Sequence, residues 1–215
     1  VQFNPGGPPA GASQEEIVRG FVRAASSITD DYAIARQFLA PSYRDGWDPS
    51  LGVFVDEGTQ PFHSEEGDVG VLSLTGIAIV DAHGTLAPIR PGPTTEARFE
   101  LEQVDGEWRI VSAPSGVILD KSTFTALWST RQLYFLSADN RLVPETRWFL
   151  NRATLTTQIV GELLAGPSEG MFDALHGAFP AGTALVSSSV PVTDGTAHID
   201  LSIELLDADP AAMEL

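Results

Sequence analysis

Apolar side chains recur at helical spacing from the first capping signal in the chain onward. Ser13 and Glu16 have the S-x-x-E spacing of a capping box, in which each side chain accepts a hydrogen bond from the other residue's backbone N–H. The next apolar positions are four, three and four residues apart: Ile17, Phe21, Ala24 and Ile28. This spacing predicts a helix with one buried face. Residues 29–31 form a second cap, which predicts a short helix that runs to Leu39 and stops before Pro41.

Alternating apolar and polar positions predict β-strands in the rest of the first half. Residues 96–102 alternate strictly, and the Asp-Gly pair at 105–106 is a strong signal for a tight hairpin. The β-branched run at 69–80 predicts one long strand with a bulge at Gly76. One short strand is expected at 52–55, within an otherwise irregular stretch. Two helices followed by a curved antiparallel sheet predict an α+β half that closes as a cone.

The second half of the chain shows the same two periodicities. Apolar positions four residues apart predict a helix at 154–164, and Gly166 followed by Pro167 is the expected order at a helix end. Pro144 lies inside a predicted strand and favours an edge position there, because proline has no N–H to donate to a neighbour. The predicted strands are at 132–136, 141–150, 183–192 and 196–201, with a hairpin turn at Asp194-Gly195 between the last two. The second half is therefore also predicted to be α+β.

Local composition divides the chain into segments. Residues 1–12 form a predicted flexible tether, because three prolines and three glycines fall within the first 11 positions. The predicted domains are 13–118 and 119–206, and residues 207–215 are expected to form a linker toward a missing downstream domain. Because the chain starts at Val1 and not at Met, we expect that an upstream segment such as a signal peptide was removed, although truncation would produce the same start.

The charge and composition of the chain exclude several kinds of partner. The 215 residues carry 29 acidic and 12 basic side chains, for a net charge of −17. The basic residues are scattered, so neither nucleic acid nor an anionic membrane surface is an expected partner. The absence of cysteine removes disulfides, iron–sulfur clusters and thiol nucleophiles. The longest apolar run, at 69–80, is far shorter than the ~20 residues of a membrane-spanning helix.

The polar residues that could bind a metal or a phosphate do not form a recognisable motif. The spacing of the densest cluster matches neither a calcium-binding loop nor the helix of a zinc protease, so we interpret it as a solvated loop. This cluster contains His63, Glu65, Glu66 and Asp68. Residues 166–170 are glycine-rich but lack the G-K-[ST] sequence of a phosphate-binding loop. No metal or cofactor is therefore predicted.

A catalytic carboxylate in the first half is the main enzymatic alternative. Asp30, Asp31 and Asp45 lie nearest suitable elements, but helix capping and turn formation account for them better. His176 and His198 are interpreted as surface or hydrogen-bonded histidines. Four aromatic residues could line a pocket in the cone, although a role in its core is the preferred interpretation: Tyr43, Trp47, Phe99 and Trp108. No catalytic residue is predicted.

Residues 130–205 contain a series of motifs that resembles the GerMN domain of sporulation and spore-germination proteins. In order, the motifs are Leu133-Tyr-Phe-Leu136, Arg141-Leu-Val-Pro-x-Thr-Arg147, Leu163-Leu-Ala-Gly-Pro167, Phe179-Pro-Ala-Gly-Thr183 and Ile199-Asp-Leu-Ser202. Four matching positions are assigned a structural role, because they bury and end a helix: Leu163, Leu164, Gly166 and Pro167.

The first half resembles the N-terminal region of actinobacterial LpqB lipoproteins. The motifs that carry this resemblance are Arg19-Gly-Phe21, Asp31-Tyr-Ala-Ile-Ala-Arg-Gln-Phe-Leu39 and Trp47-x-Pro49. In that family a nuclear-transport-factor-like cone precedes a GerMN domain, and a β-propeller follows both. The order of the two motif sets agrees with that arrangement. Because no lipobox cysteine and no propeller repeats are present, the chain is expected to be a fragment of a longer protein.

The resemblance implies a non-enzymatic region of a cell-envelope lipoprotein that acts as a protein-interaction module. A lipid at the N-terminus of the intact protein would anchor it to the membrane. The implied partners are its own missing β-propeller and the extracellular domain of the sensor histidine kinase in an MtrA/MtrB-type two-component system. Two alternatives stay open. One is a small-molecule binding or isomerase-like cone for a lipid or cell-wall metabolite, and the other is a structural spacer that positions the propeller.

Overall fold

The computed structural model describes residues 6–27 and 31–207, which form two compact units. The first unit comprises the residues up to Ala82 together with Leu86–Ala126. The second comprises His83–Thr85 and the residues from Leu127 onward. Both units combine helices with β-sheets, so the α+β class predicted from the sequence is confirmed.

Two four-stranded sheets, three α-helices and a short 3-10 helix (Pro49–Leu51) make up the described part of the first unit. Its helices are α1 (Gln14–Ala24), α2 (Ala33–Arg36) and, crossing the unit boundary at its last residue, α3 (Lys121–Leu127). Its strands are β1 (Gly52–Asp56), β2 (Phe62–Glu65), β3 (Val69–Leu74), β4 (Gly76–Asp81), β5 (Leu86–Pro88), β6 (Thr95–Val104), β7 (Glu107–Ser112) and β8 (Val117–Asp120). The strand orders are β2-β3-β6-β7 and β5-β4-β1-β8.

This sheet arrangement corrects the expectation of a single curved antiparallel sheet. The strands form two sheets, and β1 pairs with β8 in parallel. The run at 69–80 was expected to be one strand with a bulge at Gly76, but it forms β3 in one sheet and β4 in the other. A Cβ at Gly76 would lie 2.6 Å from Ile89 Cδ1 and 2.8 Å from Phe54 Cζ, so glycine allows the chain to change sheets at this crowded point. The nuclear-transport-factor-like cone stays a prediction.

Helix α1 confirms the predicted capping box and buried face. Ser13 Oγ accepts a hydrogen bond from the Glu16 N–H at 3.3 Å, and Glu16 Oε2 accepts one from the Ser13 N–H at 2.8 Å. Ile17 and Phe21 are buried on the helix face that points into the unit, whereas Ile28 lies outside the described residues. The local signals at this helix start were therefore sufficient to locate it.

The second predicted helix is shorter than expected and begins later. Thr29 and Asp30, part of the predicted cap, lie outside the described residues. Asp31 and Tyr32 both have positive φ, at 53° and 59°, so the helical conformation starts only at Ala33. The helix ends at Arg36, and Leu39 instead forms a bridge with Ile110 in β7.

The second unit packs one helix against an antiparallel sheet. Its elements are β9 (Trp128–Ser137), β10 (Leu142–Leu150), α4 (Leu155–Ala165), β11 (Leu175–His176), β12 (Val192–Thr193) and β13 (Thr196–Ala197). The core consists of Leu133, Phe135, Phe149 and Leu175, against which Val143, Leu155, Ile159 and Leu163 pack. The predicted helix and both long strands are confirmed. No helix in residues 6–27 and 31–207 is both long enough and apolar enough to cross a lipid bilayer.

Pro144 lies in an edge strand, as predicted. The strand order is β10-β9-β11, so β10 has a neighbour on one side only. The Trp148 N–H donates to the Gly84 carbonyl at 2.7 Å and not to β9, so alternate residues of β10, including Pro144, direct their backbone groups away from β9. The missing N–H of Pro144 therefore costs no ladder hydrogen bond.

The predicted strands at 183–192 and 196–201 are largely wrong. The Asp194-Gly195 turn is present, but regular pairing is limited to β12 and β13, with one isolated bridge between Leu185 and Leu201. Between residues 183 and 201 the structure buries Val190 alone. Because so few of these side chains contact the core, little stabilises a regular ladder here.

Candidate functional site

Part of one face of the β9–β10 hairpin is open to solvent and carries apolar side chains. Helix α4 covers the opposite face, where Leu133 and Phe135 are buried. Because strand side chains alternate, Tyr134 points to the open side, where it lies opposite Pro144. Tyr134 is 49% exposed and Leu142 is 47% exposed. We call this surface the open hairpin face, and it consists of Gln132, Tyr134, Leu142, Pro144 and Thr146, all exposed.

The basic residues of the second unit also lie on or beside this hairpin. Arg131, Arg141, Arg147 and Arg152 are its basic side chains, and neither lysine nor arginine follows Arg152 in the chain. Arg141 is 82% exposed and pairs with Asp139 at the hairpin turn, with 2.9 Å between Nε and Oδ2. Tyrosine and arginine are the residue types enriched at the centres of protein interfaces. The hairpin therefore has a composition suited to binding another protein.

A buried arginine holds the hairpin against the end of α4. Arg147 is 1% exposed, and its guanidinium pairs with Glu145 and Glu162, each at 2.9 Å. It also donates to the carbonyls of His83 at 3.1 Å and Gly166 at 3.2 Å. Each of the three guanidinium nitrogens thus has at least one partner, which is the condition under which a buried charge is tolerated. The network fixes the strand that carries half of the open hairpin face.

The carboxylate of Glu145 is held in its charged form by this network. Burial acts to raise the pKa of Glu145, but hydrogen bonds from Arg147 and Ser168 outweigh burial and lower the pKa below its ordinary value. The Ser168 N–H donates to Glu145 Oε2 at 3.1 Å. The segment that follows α4 is therefore tied to β10 by a charged hydrogen bond.

The residues assigned a structural role lie where α4 ends. Leu163 packs against the core, and Leu164 is half-buried. Gly166 has a φ of 97°, and both it and Pro167 are buried. The Gly166 carbonyl accepts a hydrogen bond from Arg147, so two separate motifs of the sequence meet at one point.

The four aromatic residues considered as pocket lining do not all lie together. Trp47 and Phe99 are buried and both contact Phe21, with ring centroids 4.9 and 6.2 Å from it. Tyr43 is half-buried, and its hydroxyl exchanges hydrogen bonds with the backbone of Ala113. Trp108 is half-buried. Among the described residues, no ring contact joins Tyr43 or Trp108 to the other two, and a pocket-lining role for the set stays a prediction.

The other candidate groups are dispersed over the surface. Asp31 is exposed and pairs with Arg36 at 3.3 Å, and Asp45 is exposed, whereas Asp30 lies outside the described residues. His176 and His198 are exposed as well.

The densest acidic cluster spans the β2–β3 hairpin, and Glu66 and Asp68 lie in its turn. His63 and Glu65 belong to β2, and Glu65 forms an ion pair with Arg98 on β6. Within residues 6–27 and 31–207, no three histidine, aspartate or glutamate side chains are grouped so that they could hold a metal ion.

A buried carboxylate that the sequence analysis did not single out lies at the end of β1. Asp56 is fully buried, and its Oδ1 accepts a hydrogen bond from the Gly58 N–H at 2.8 Å, while its buried Oδ2 has no partner. In the parallel register Asp56 lies beside Asp120. Burial raises the pKa of Asp56 and outweighs hydrogen bonds from the Gln60 side chain and the Gly58 N–H, which act to lower the pKa. The negative charges of Asp120 and Glu57 act in the same direction as burial. The available signal was an acidic residue that ends an apolar strand, which is also common at ordinary strand ends.

Asp120 has the opposite electrostatic balance. Burial acts to raise its pKa, but hydrogen bonds from the hydroxyls and backbone N–H groups of Ser122 and Thr123 outweigh burial and lower the pKa to about 2. The two neighbouring carboxylates therefore make opposite contributions to stability. Ionisation of Asp56 opposes folding, and ionisation of Asp120 favours it.

We expect Asp56→Asn to stabilise the first unit at neutral pH. A carboxyl whose folded pKa is raised contributes fully at low pH, and its contribution is lost as the pH rises through that pKa. Because asparagine cannot ionise, the variant should melt at a higher temperature than the wild type at pH 7. The gain should shrink toward zero at pH 3. Thermal unfolding measured across this range checks the expectation.

Asp120→Asn is the matched control, with the opposite sign. The pKa of Asp120 is lowered to about 2 in the folded protein. Its ionisation therefore stabilises the fold when the pH is above the ordinary pKa of aspartate, and this contribution is lost as the pH falls toward 2. This variant should therefore melt below the wild type at pH 7, with a difference that closes in acid. A pH-independent effect of Asp56→Asn would show that the ionisation of Asp56 does not oppose folding.

Comparison with known proteins identifies two families of domain in the chain. Residues 7–125 match the family model described as "Lipoprotein LpqB, N-terminal domain", and residues 132–214 match the one described as "Sporulation and spore germination". No solved structure is significantly similar to the chain.

Several curated proteins named Lipoprotein LpqB are similar to the chain over most of its length. The protein of Bifidobacterium longum (strain NCC 2705) is 30% identical over 94% of this chain and 37% of its own length. That of Cutibacterium acnes (strain DSM 16379 / KPA171202) is 30% identical over 97% of this chain and 35% of its own. That of Thermobifida fusca (strain YX) is 29% identical over 96% and 35%. The chain thus spans little more than a third of the length of these relatives.

Proposed function

The chain belongs to the LpqB lipoprotein family, and on that premise we propose that it is a non-enzymatic, protein-interaction region of a cell-envelope lipoprotein. In this proposal a tether at 1–12 leads from an N-terminal lipid anchor to a cone-like domain at 13–118. A GerMN domain at 119–206 follows, and residues 207–215 lead to a downstream domain. The curated relatives carry the name lipoprotein, which supports a location at the membrane of the cell envelope.

The partner in this proposal is the extracellular sensing domain of a two-component sensor histidine kinase of the MtrB type. The family resemblance suggests this partner, and the open hairpin face supplies the surface. The observation that carries the proposal is the exposure of Tyr134 and Leu142 on the same face of the hairpin, at 49% and 47%. Exposed aromatic and apolar residues on a rigid element are the usual anchors of a protein interface.

The rigidity of this face also supports a binding role. Arg147 joins β10 to α4 through hydrogen bonds at both ends of its guanidinium. A surface that is already ordered loses little conformational entropy when it binds. The Tyr134 hydroxyl donates to Gln132 Oε1 at 3.0 Å, which further restricts the orientation of the ring.

Binding to the purified extracellular domain of the cognate sensor kinase tests the proposal. The chain should bind in a titration calorimetry or interferometry experiment, and the double variant Tyr134→Ala/Leu142→Ala should weaken binding at least ~tenfold, which corresponds to about 1.4 kcal/mol. Ile79→Ala is the control, because Ile79 is a 45% exposed apolar residue on a strand of the first unit. It should bind like the wild type.

Three outcomes would contradict this proposal in different ways. No binding of the wild-type chain at ~500 μM would remove the kinase as a partner, since only interactions weaker than about −4.5 kcal/mol would escape detection. Normal binding of the double variant would keep the partner and reject the surface. If surface variants supported signalling in cells as well as the wild type does, the chain would act as a spacer for the downstream domain.

Asp56 favours a second candidate function, namely binding of a small molecule by the first unit. A fully buried carboxylate with an unpartnered oxygen is the kind of group that binds a ligand or accepts a proton in proton-transfer isomerases. A lipid or cell-wall metabolite would be the ligand. The position of Trp47 distinguishes this alternative from a purely structural core. A ligand-binding pocket requires Trp47 to line an opening, whereas a structural core requires it to be packed among other side chains.

A further inference from the structure

Exposed apolar side chains are concentrated near the C-terminal end of the described residues. Of the large hydrophobic residues that are exposed in the described part of the chain, most lie between residues 171 and 207. Five of them form what we call the C-terminal apolar surface: Val186, Val192, Ile199, Ile203 and Leu206. Scattered apolar residues are normal on a protein surface, but a group of this size within one short segment indicates a site that another surface covers.

Most of this surface lies on an irregular two-stranded ribbon. The Val186 N–H donates to the Asp200 carbonyl, and the Ser202 N–H donates to the Ala184 carbonyl, each at 2.9 Å. Because side chains alternate along such a ribbon, Val186 and Ile199 point to opposite faces, and both are exposed. The face of Ile199 also carries Leu185 and Leu201, which are half-buried, whereas the face of Val186 has no such covered pair. A two-stranded ribbon with one face uncovered is only marginally stable in water. The ribbon therefore requires a further layer.

The ribbon leads directly into a short 3-10 helix at Ile203–Asp207. Ile203 and Leu206 are 76% and 77% exposed, the highest values among the exposed large hydrophobic residues. Residues three apart lie on one side of a 3-10 helix, so these two side chains form one projecting apolar contact. The apolar surface thus continues to Leu206, which is next to the last described residue.

The charge around this surface constrains what can cover it. The chain has no lysine or arginine after Arg152. The acidic residues from there to the end of the described part are Glu162, Glu169, Asp173, Asp194, Asp200, Glu204 and Asp207. A second copy of the chain would bring the same negative charges into contact, which is unfavourable. The charge favours a partner with an apolar centre and a basic rim.

The lengths of the relatives indicate where such a partner comes from. The matched regions cover 37%, 35% and 35% of the three relatives described above. The family model that begins at residue 7 is described as the N-terminal domain of the lipoprotein. Most of the additional length of the relatives therefore follows the part that corresponds to this chain. A segment tethered directly beyond the C-terminal apolar surface is present there at a high effective concentration.

We propose that the C-terminal apolar surface docks against the downstream part of the same lipoprotein, through an apolar patch bordered by basic residues. The ribbon and the 3-10 helix then form a fixed joint and not a loose linker. The open hairpin face is not used in this contact, so the joint does not depend on the proposed binding of a kinase.

Hydrogen exchange tests the joint in the intact lipoprotein. Backbone amides at 184–206 should exchange at least ~tenfold more slowly in the intact protein than in the 215-residue chain, because docking protects them from local opening. The double variant Ile203→Ser/Leu206→Ser should restore fast exchange at these amides in the intact protein. It should leave exchange in β9, β10 and α4 unchanged. In the 215-residue chain the same variant should not change the melting temperature, because both side chains are exposed.

Leu51→Ser is the control, since Leu51 is a 53% exposed apolar residue in another 3-10 helix. It should leave the protection of 184–206 intact. Equal exchange in the two forms of the protein would overturn the proposal. A 215-residue chain that sediments as a dimer, and that the double variant converts to a monomer, would also overturn it by assigning the surface to a second copy. Protection that appears only after a separate envelope protein is added would overturn it as well.

Discussion

Replacing Arg147 with alanine should lower the free energy of unfolding of the second unit by about 3–5 kcal/mol. The guanidinium is 1% exposed, and it neutralises Glu145 and Glu162, whose side chains are 12% and 19% exposed. Removing it leaves two poorly hydrated carboxylates and two carbonyls without their donor. The cost of breaking a buried ion pair comes mainly from the charged partner that is left without a counter-ion. This is why we expect a large effect from the loss of one buried side chain.

Arg141→Ala is the matched control for this experiment. Arg141 lies on the same hairpin and also pairs with a carboxylate, but it is 82% exposed, so its removal should cost about 0–1 kcal/mol. Arg147→Lys should fall between the two, because an ammonium keeps the charge but cannot reproduce the planar fork of donors. Denaturant unfolding, monitored by hydrogen exchange of the amides in β10 and α4, gives the free energy of unfolding of the second unit for each variant. The first unit does not contribute to this signal.

The pH dependence of the Arg147 effect provides an additional check. The pKa of Glu145 is lower in the folded protein than in the unfolded one. Its ionisation therefore stabilises the fold when the pH is above the ordinary pKa, and this contribution is lost as the pH falls through the folded-state pKa. The difference between wild type and Arg147→Ala should therefore shrink in acid. A cost below about 1 kcal/mol at pH 7, comparable to that of Arg141→Ala, would mean that the network is hydrated and does not stabilise the unit.

Elements defined by local signals were the predictable part of this fold. The capping box at Ser13 and Glu16, the Asp-Gly turn at 105–106 and the helix that ends at Gly166 each depend on residues a few positions apart. The edge position of Pro144 was predictable for the same reason, because the constraint belongs to the residue itself. In these cases the local preference and the final fold agree.

The division of the first unit into two sheets was not predictable from periodicity. An apolar run such as 69–80 gives the same pattern whether it stays in one sheet or passes between two. What decides is the crowding at Gly76, where Phe54 and Ile89 approach from distant parts of the sequence. Strand β8 was not predicted for a related reason, because it is defined by its parallel pairing with β1. Helix α3, which directly follows β8, was not predicted either.

The candidate sites show the same limit. Arg147 was part of a sequence motif, but its partners His83 and Glu162 lie 64 and 15 residues away, so its burial could not be inferred from spacing. Asp56 was overlooked because an aspartate at a strand end usually faces solvent. The open hairpin face follows from alternation in β9 and from the edge position of β10, and both could have been derived from the sequence once the helix after them was placed on the other face.

Replacing Trp47 with alanine should lower the free energy of unfolding of the first unit by about 3–5 kcal/mol. Its ring packs edge-on against Phe21 at 4.9 Å and Tyr32 at 5.7 Å between centroids, and Nε1 donates to the Gly116 carbonyl at 3.2 Å. The variant loses the apolar burial of the largest side chain, leaves a cavity and removes the only donor that side chain supplies. Trp47→Phe should cost less, because it keeps most of the burial but leaves the Gly116 carbonyl without this donor.

Trp108→Ala is the control, because Trp108 is a tryptophan of the same unit that is only half-buried, and we expect a cost of about 1–2 kcal/mol. Thermal and denaturant unfolding of the three variants decides between two interpretations of the first unit. A cost of 3–5 kcal/mol for Trp47→Ala assigns Trp47 to the core, and any function of the unit must then use its surface. A variant that stays as stable as the wild type would contradict that assignment, because only a side chain lining a solvent-filled opening can be truncated without loss of packing. In that case the buried carboxylate of Asp56 would be the first group to test for ligand binding.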